Sequence, residues 1–302
     1  MSKNDKIEFL FDLYVRNWQS FTSKTKQVFV CPLCLDEFTK SEMLDNKVSE
    51  EHIIPSSLGG NFTTLTCKKC KNEDGSELDA HVIQRIRVEQ GIIPINSRVT
   101  VGEDEVGADI IFSDEKNISH KILVVSKQSN PKSINGVQDE LKKNPEEISL
   151  NLKFGYNERA SLVGLIRIAY LMMFRKFGYS YILQDFANQI RQQIKKPFEE
   201  SPVLESVRWQ IEKLPINTSV ITIIKEPLEF RSFYAIIKLT ENAKHLSGVI
   251  LPGMNQQNIN IYTTLKELEN KETFKVIPIT KMDFNHNDIW NPLVFWNAIF
   301  AN

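Results

Sequence analysis

Four cysteines stand in two C-x2-C pairs, Cys31 with Cys34 and Cys67 with Cys70, and the chain has no others. A C-x2-C segment folds into a tight knuckle whose two thiolates converge on one point. Two knuckles complete a closed tetrahedral shell of four sulfurs, which zinc prefers and which leaves no position for substrate. In a reducing compartment such pairing favours a metal over disulfides. A structural Zn2+ on Cys31, Cys34, Cys67 and Cys70 is therefore expected, and by itself it predicts a fold and no reaction.

The stretch between the knuckles carries groups that could react. It reads Glu51-His52-Ile53-Ile54-Pro55-Ser56-Ser57-Leu58-Gly59-Gly60. An acidic-His dipeptide, two apolar residues and Pro, then a Gly-Gly turn between two zinc knuckles resembles the HNH endonuclease family. The closing knuckle Cys67-Lys68-Lys69-Cys70-Lys71-Asn72 and the following Gly75-Ser76-Glu77-Leu78-Asp79 are similar to the family's last element, so the resemblance spans about residues 28–82. It implies a zinc-stabilised ββα-metal module of treble-clef-like form that hydrolyses phosphodiester bonds of DNA. It further implies His52 as general base and Glu51 as ligand to a catalytic Mg2+ or Mn2+. The chemistry is consistent with those roles. In-line attack requires water to lose a proton, a task an imidazole performs near neutral pH. Charge on the phosphate and leaving oxygen must also be neutralised, which a hard divalent cation does.

The family's third position, directly after the second knuckle, is usually His or Asn. Here it is Lys71, whose ammonium cannot ligate a cation. Asn72 is the next residue and His81 lies further along the same predicted helix; either could supply the ligand. The residue that orients the general base has its nearest counterpart in Asn61, after the Gly-Gly turn. Lys68, Lys69 and Lys71 are candidates for phosphate contact, although Glu73, Asp74, Glu77 and Asp79 dilute the patch.

The elements that must hold these groups follow from periodicity. Ile7, Leu10, Phe11, Tyr14 and Trp18 share one face of a helix over 5–19. Val28-Phe29-Val30 reads as a strand entering the first knuckle, and a helix begins near Asp79. Beyond Pro94, strands are expected at Arg98–Val101, Asp109–Ser113, Lys121–Lys127, Ser219–Lys225, Ser232–Leu239, Gly248–Leu251 and Phe274–Ile279. A buried helix is expected from Glu158 to Phe177, stopped by Gly178, and a second from Leu183 to Lys195. Thr263–Glu269 reads as a helix, and Gln128–Glu147 as a loop or short helix. His120, His245 and His286 are isolated and carry no expected chemistry. The fold class is α+β. An N-terminal helix plus nuclease module occupies residues 1–93, and a larger mixed α+β domain over 94–302 would bind substrate, dimerise or sense a signal.

Bulk properties bound the reading. The chain has 302 residues and a net charge of −1, so it is not a strongly basic nucleic-acid binder overall; a local groove would have to supply phosphate contact. Neither a secretory signal nor a membrane span is predicted: the greasy run Ala160–Phe174 is short and interrupted by Arg167. A soluble, cytoplasmic protein is expected. DNA is the expected partner, RNA an alternative one, and a double-strand cut from one site per chain would call for a homodimer. By family analogy, restriction or phage defence is the expected setting. The competing reading is a non-catalytic zinc-knuckle module that binds nucleic acid or protein, supported by Lys71 and opposed by the presence of both Glu51 and His52.

Overall fold

The structure, a computed structural model, describes residues 2–90, 98–101, 106–113, 121–126, 150–211, 218–226, 230–240, 246–254, 275–278 and 288–300, with a few single positions between them. The expected segments Gln128–Glu147 and Thr263–Glu269 fall almost entirely outside these residues, as do His120, His245 and His286. Contacts divide the chain into two units, residues 1–79 with 159–302 and residues 80–158. This grouping does not follow chain order. The architecture is mixed α+β, and among the described residues no helix is long and apolar enough to cross a membrane.

The first unit opens with α1, Lys3–Thr22. Ser2 caps it in a reciprocal capping box with Asp5, and Ser23 closes it in the left-handed region (φ 56°). Leu10, Phe11, Tyr14 and Trp18 are buried, as the stripe predicts. Strand β1 (Phe29–Val30) pairs with β2 (Glu37–Phe38) around the first knuckle, and α2 follows at Lys40–Leu44 under a Thr39–Glu42 capping box. Next come β3 (Val48–His52) and β4 (Thr63–Cys67), an antiparallel hairpin in which Glu51 faces Thr64 and His52 faces Thr63. A single helical turn, α3 (Lys68–Cys70), then a wide π turn over Lys71–Gly75, lead into α4, Ser76–Glu89, which starts three residues before the predicted point.

Helix α5 runs Glu158–Phe177, matching the predicted bounds, and is buried almost all round. A helix apolar on every face belongs at the centre, and α5 is where the N-terminal elements and the C-terminal sheet converge. Tyr14 stacks on Phe174 with ring centroids 4.4 Å apart, and its hydroxyl is 2.7 Å from Thr64 Oγ1 of β4. Tyr170 donates to the Pro32 carbonyl inside the first knuckle at 2.8 Å. Tyr179 both accepts from the Val30 amide and donates to the Val30 carbonyl.

The predicted helix Leu183–Lys195 is α7, Phe186–Lys195, starting three residues later, and a short helix α6 (Tyr179–Ile182) that was not anticipated precedes it. Arg191 donates to the Ile182 carbonyl that α6 leaves open, and the chain turns there. The C-terminal strands form one antiparallel sheet: β13 (Lys275–Pro278), β10 (Val220–Glu226), β11 (Ser232–Ile237), β12 (Leu246–Pro252), β9 (Val207–Ile211), in that spatial order. Strands β11 and β12 are buried throughout. Phe233 meets Phe177, Tyr181 and Trp296 at 5.1–5.6 Å between ring centroids. Trp296 belongs to α8 (Pro292–Phe300), which lies so close to the sheet that a Cβ on Gly253 would stand 2.1 Å from its ring. Strand β9 and helix α8 were not anticipated.

The second unit contains the remainder of α4 and an antiparallel sheet ordered β7 (Lys121–Ser126), β6 (Val106–Ser113), β5 (Arg98–Val101), β8 (Leu150–Lys153). The three expected strands are present; β6 starts earlier, at Val106, and β8 is additional.

Candidate functional site

The two knuckles are brought together by strand pairing at their bases. Strand β1 delivers Cys31, whose turn is closed by the Cys31 amide on the Asp36 carbonyl and the Leu35 amide on the Cys31 carbonyl, each at 2.9 Å. Strand β4 ends on Cys67. The Cys67 amide donates to Cys31 Sγ at 3.3 Å and the Cys70 amide to Cys67 Sγ at 3.4 Å. All four sulfurs lie within 4.8 Å of one another, with Cys34 and Cys67 3.8 Å apart. A tetrahedron of ~2.3 Å Zn–S bonds has edges of about 3.8 Å, so the donor set and its size fit zinc. The Cys67 thiol is pulled far down, chiefly by its hydrogen bond with Cys31, while Cys34 and Cys70 are pushed far up by theirs with Cys31. Four thiolates share this space only with a cation between them.

The dipeptide that follows is split by the pleat. Glu51 is 3 % exposed and His52 is open to solvent, as neighbours on a strand must face opposite ways. Ile53 and Ile54 turn inward, and the Ile53 amide bonds the Phe62 carbonyl, extending the hairpin by one pair. The two glycines have different jobs. Gly59 takes φ +82°, the left-handed region, and a Cβ on Gly60 would stand 1.9 Å from the Ile54 carbonyl oxygen. Asn61 lies exposed just beyond, and among the described residues no hydrogen bond joins it to His52. Glu50, two residues before His52, lies 2.5 Å from Lys6 of α1. Burial alone would raise the Glu50 carboxyl; Lys6 and Thr63, then the His52 charge, hold it below the usual range.

Glu51 points into a cluster of charge. Arg167, wholly buried in α5, donates through Nη2 to Glu51 Oε1 and lies 3.5 Å through Nη1 from Asp79 Oδ1. Lys71 Nζ lies 3.6 Å from Glu51 Oε2 and donates to the Glu50 carbonyl. The π turn lets the chain pass tightly here. A Cβ on Gly75 would stand 2.7 Å from Arg167 Nη2 and 3.3 Å from Glu51 Oε1. Burial, with Glu51 adding to it against the pull of Arg167 and Lys71, raises the Asp79 carboxyl to about 6.

Residues 30–87 match the HNH endonuclease family. Neither the curated proteins nor the solved structures give a significant match to the chain. The HNH segment takes in both knuckles, the Glu51-His52 dipeptide, the glycine turn and most of α4, about a fifth of the chain.

Within the HNH segment the predicted residues separate into groups. The cysteines meet at one centre. Lys68 and Lys69 are exposed on α3, and Asn72 is exposed on the π turn. His81 lies in the second unit, where its Nδ1 accepts from the Asn157 amide at 3.1 Å. A catalytic divalent cation is a poor fit to the donors around Glu51: each of its oxygens already faces a fixed cation, and the second carboxylate, Asp79, shares one of them. Sequence reasoning missed Arg167 and Asp79. Arg167 did leave a trace, as a charge within the apolar run Ala160–Phe174.

Proposed function

We propose that the chain is an endonuclease that hydrolyses phosphodiester bonds of DNA, with His52 as the general base. The observation that carries this reading is an exposed imidazole at the open end of β3, inside an HNH segment whose four-cysteine cluster and glycine turn are complete. Water attacks phosphorus in line with the leaving sugar oxygen, and His52 takes the proton that water loses. The P–O bond to that sugar oxygen breaks, and the oxygen is protonated from solvent. The family resemblance assigns charge neutralisation to Mg2+ or Mn2+ on Glu51 and Asn72. In this chain the Glu51 oxygens are instead engaged by Arg167 and Lys71. The exposed ammonium groups of Lys68 and Lys69 would hold the flanking phosphates. Substrate choice would come from residues 94–302, since the HNH segment offers little surface for reading bases.

A second reading has one observation in its favour. A module whose acidic residue is neutralised by Arg167 and Lys71 suits nucleic-acid or protein binding without catalysis. One experiment separates the two. Zinc-loaded protein is incubated with supercoiled plasmid and, separately, with single-stranded RNA, with and without Mg2+ or Mn2+, beside His52→Ala. Nicking of plasmid that His52→Ala abolishes supports the nuclease. Cleavage of RNA alone moves the substrate class. Cleavage that survives His52→Ala removes His52 as base, and no cleavage of either polymer under any condition leaves the binding module.

A further inference from the structure

The Glu51 cluster holds two carboxylates and two cations. Arg167 lies between Glu51 and Asp79, and Lys71 faces the other Glu51 oxygen. With all four ionised the formal charge is zero, so a divalent cation would enter a site that is already balanced. It would have to displace either a guanidinium with no solvent exposure or the ammonium beside it. Gly75 leaves no slack, because even a Cβ there would stand 2.7 Å from Arg167 Nη2 and 3.3 Å from Glu51 Oε1.

The two cations differ in reach. Arg167 is sealed in the core helix and touches no solvent. The Lys71 side chain is 38 % exposed, although its Nζ is held by the Glu51 carboxylate and the Glu50 carbonyl. An ammonium held that way is pre-placed beside β3, at the carbonyl two residues before His52, on a side chain that solvent still reaches. We propose that Lys71 supplies the fixed positive charge that contacts the scissile phosphate in place of a divalent metal, and that Arg167 is a positioning residue that holds Glu51 as the Lys71 bracket. The proposal rests on the reading that this site binds a nucleic-acid phosphate. It assigns Glu51 a different role from the metal ligand that the resemblance implies. A preorganised cation at developing phosphate charge does the electrostatic work of the ion without binding one.

The test uses the full, zinc-loaded chain and two readouts that do not depend on turnover. The first is Mn2+ binding followed by electron paramagnetic resonance, with a DNA duplex present. The wild type is expected to take up no stoichiometric Mn2+. Lys71→Asn and Arg167→Gln, each of which removes a cation from Glu51, are expected to gain a Mn2+ site, a change that a merely structural arginine would not produce. The second is the salt dependence of duplex binding. Lys71→Met should lower the slope of log K against log salt by about one phosphate contact, and Lys71→Arg should restore it; zinc content and circular dichroism verify folding of each variant. One bound Mn2+ in the wild type that Glu51→Gln abolishes would overturn the proposal, as would an unchanged salt slope in Lys71→Met. Cleavage is scored separately. If the chain cuts, its rate in EDTA with zinc retained should be within about two-fold of that in Mg2+, and Lys71→Met should lower it roughly 10²-fold. Strict dependence on Mg2+ overturns the proposal and leaves the nuclease standing. A chain that never cuts but passes both binding tests removes the nuclease and keeps the Lys71 contact.

Discussion

Arg167 of the central helix donates to Glu51 of the β3–β4 hairpin across 116 residues of sequence, and both side chains are buried. The acidic residue of the Glu51-His52 dipeptide is thus fixed from outside the HNH segment. Three further bonds run the same way, from Tyr170 to Pro32 and twice between Tyr179 and Val30. The HNH segment is built into the larger body at the buried face of its hairpin as well as at its first knuckle.

Removing one partner of that pair should cost more than removing both. Arg167→Met strands the Glu51 carboxylate in a site it cannot leave, and about 3–5 kcal/mol of stability is expected to be lost. Pairing it with Glu51→Gln should recover a large part of the loss, since no buried charge then lacks a partner. Urea unfolding of the two single variants and the double variant gives the coupling energy directly. Equal, additive losses in the two singles would mean the pair is screened and carries little.

Zinc removal should be felt well beyond the cysteines. Cys31→Ser deletes one of four ligands and the sulfur that accepts the Cys67 amide. Knuckle zinc supplies folding free energy, and the Tyr170 and Tyr179 bonds carry its loss into α5 and α6. The expected outcome is a variant with less than stoichiometric zinc, reduced far-UV circular dichroism and a broadened thermal transition. A variant that loses zinc but keeps the wild-type transition would show that the hydrophobic core alone holds the module.

Stability should also fall as pH rises through the range set by Asp79. Burial raises its folded carboxyl from 3.8 to about 6. Below pH 4 both folded and unfolded chains hold the proton. Between the two values the unfolded chain releases it and the folded one keeps it, so the unfolded state gains by ionising. The loss is complete above about pH 6 and amounts to at most about 3 kcal/mol. Asp79→Asn removes this slope. The difference in urea midpoint between wild type and variant, followed from pH 4 to 7, isolates it from proton competition at the zinc thiolates, which both proteins share. A constant difference across that range would rule the titration out.

The contrast between Cys31 and Arg167 shows what a sequence can disclose. Each knuckle is local, with its ligands three residues apart, so spacing alone announces it; the Gly59-Gly60 turn is local in the same way, demanded by one φ angle and one backbone contact. Helix α5 was legible because a long apolar run bounded by Gly178 has one sensible structure. Its partner was not. Which apolar face meets α1, and which carboxylate meets Arg167, are set by packing between segments 88 or more residues apart, and no periodicity encodes that. Helix α2 is capped by Thr39 and Glu42, but it has only one turn and so little pattern to announce it. Strand β9 and helix α8 gain their stability from the sheet they complete, so their own residues advertise little.

His52 offers the clearest separation of function from fold. Its side chain is exposed, and among the described residues it accepts or donates no side-chain hydrogen bond; substitutions at such positions usually change stability by less than about 0.5 kcal/mol. His52→Ala should therefore bind zinc and unfold at the wild-type urea midpoint while cleaving plasmid about 10²–10⁴-fold more slowly, the range for loss of a general base. Glu51→Ala is the control from the other face of the same strand. It should lose stability as well as activity, because it leaves Arg167 buried without its first partner. If both variants lost activity and stability in parallel, the effect at His52 would be structural. Loss of rate at constant stability in His52→Ala alone would place the proton transfer on that imidazole.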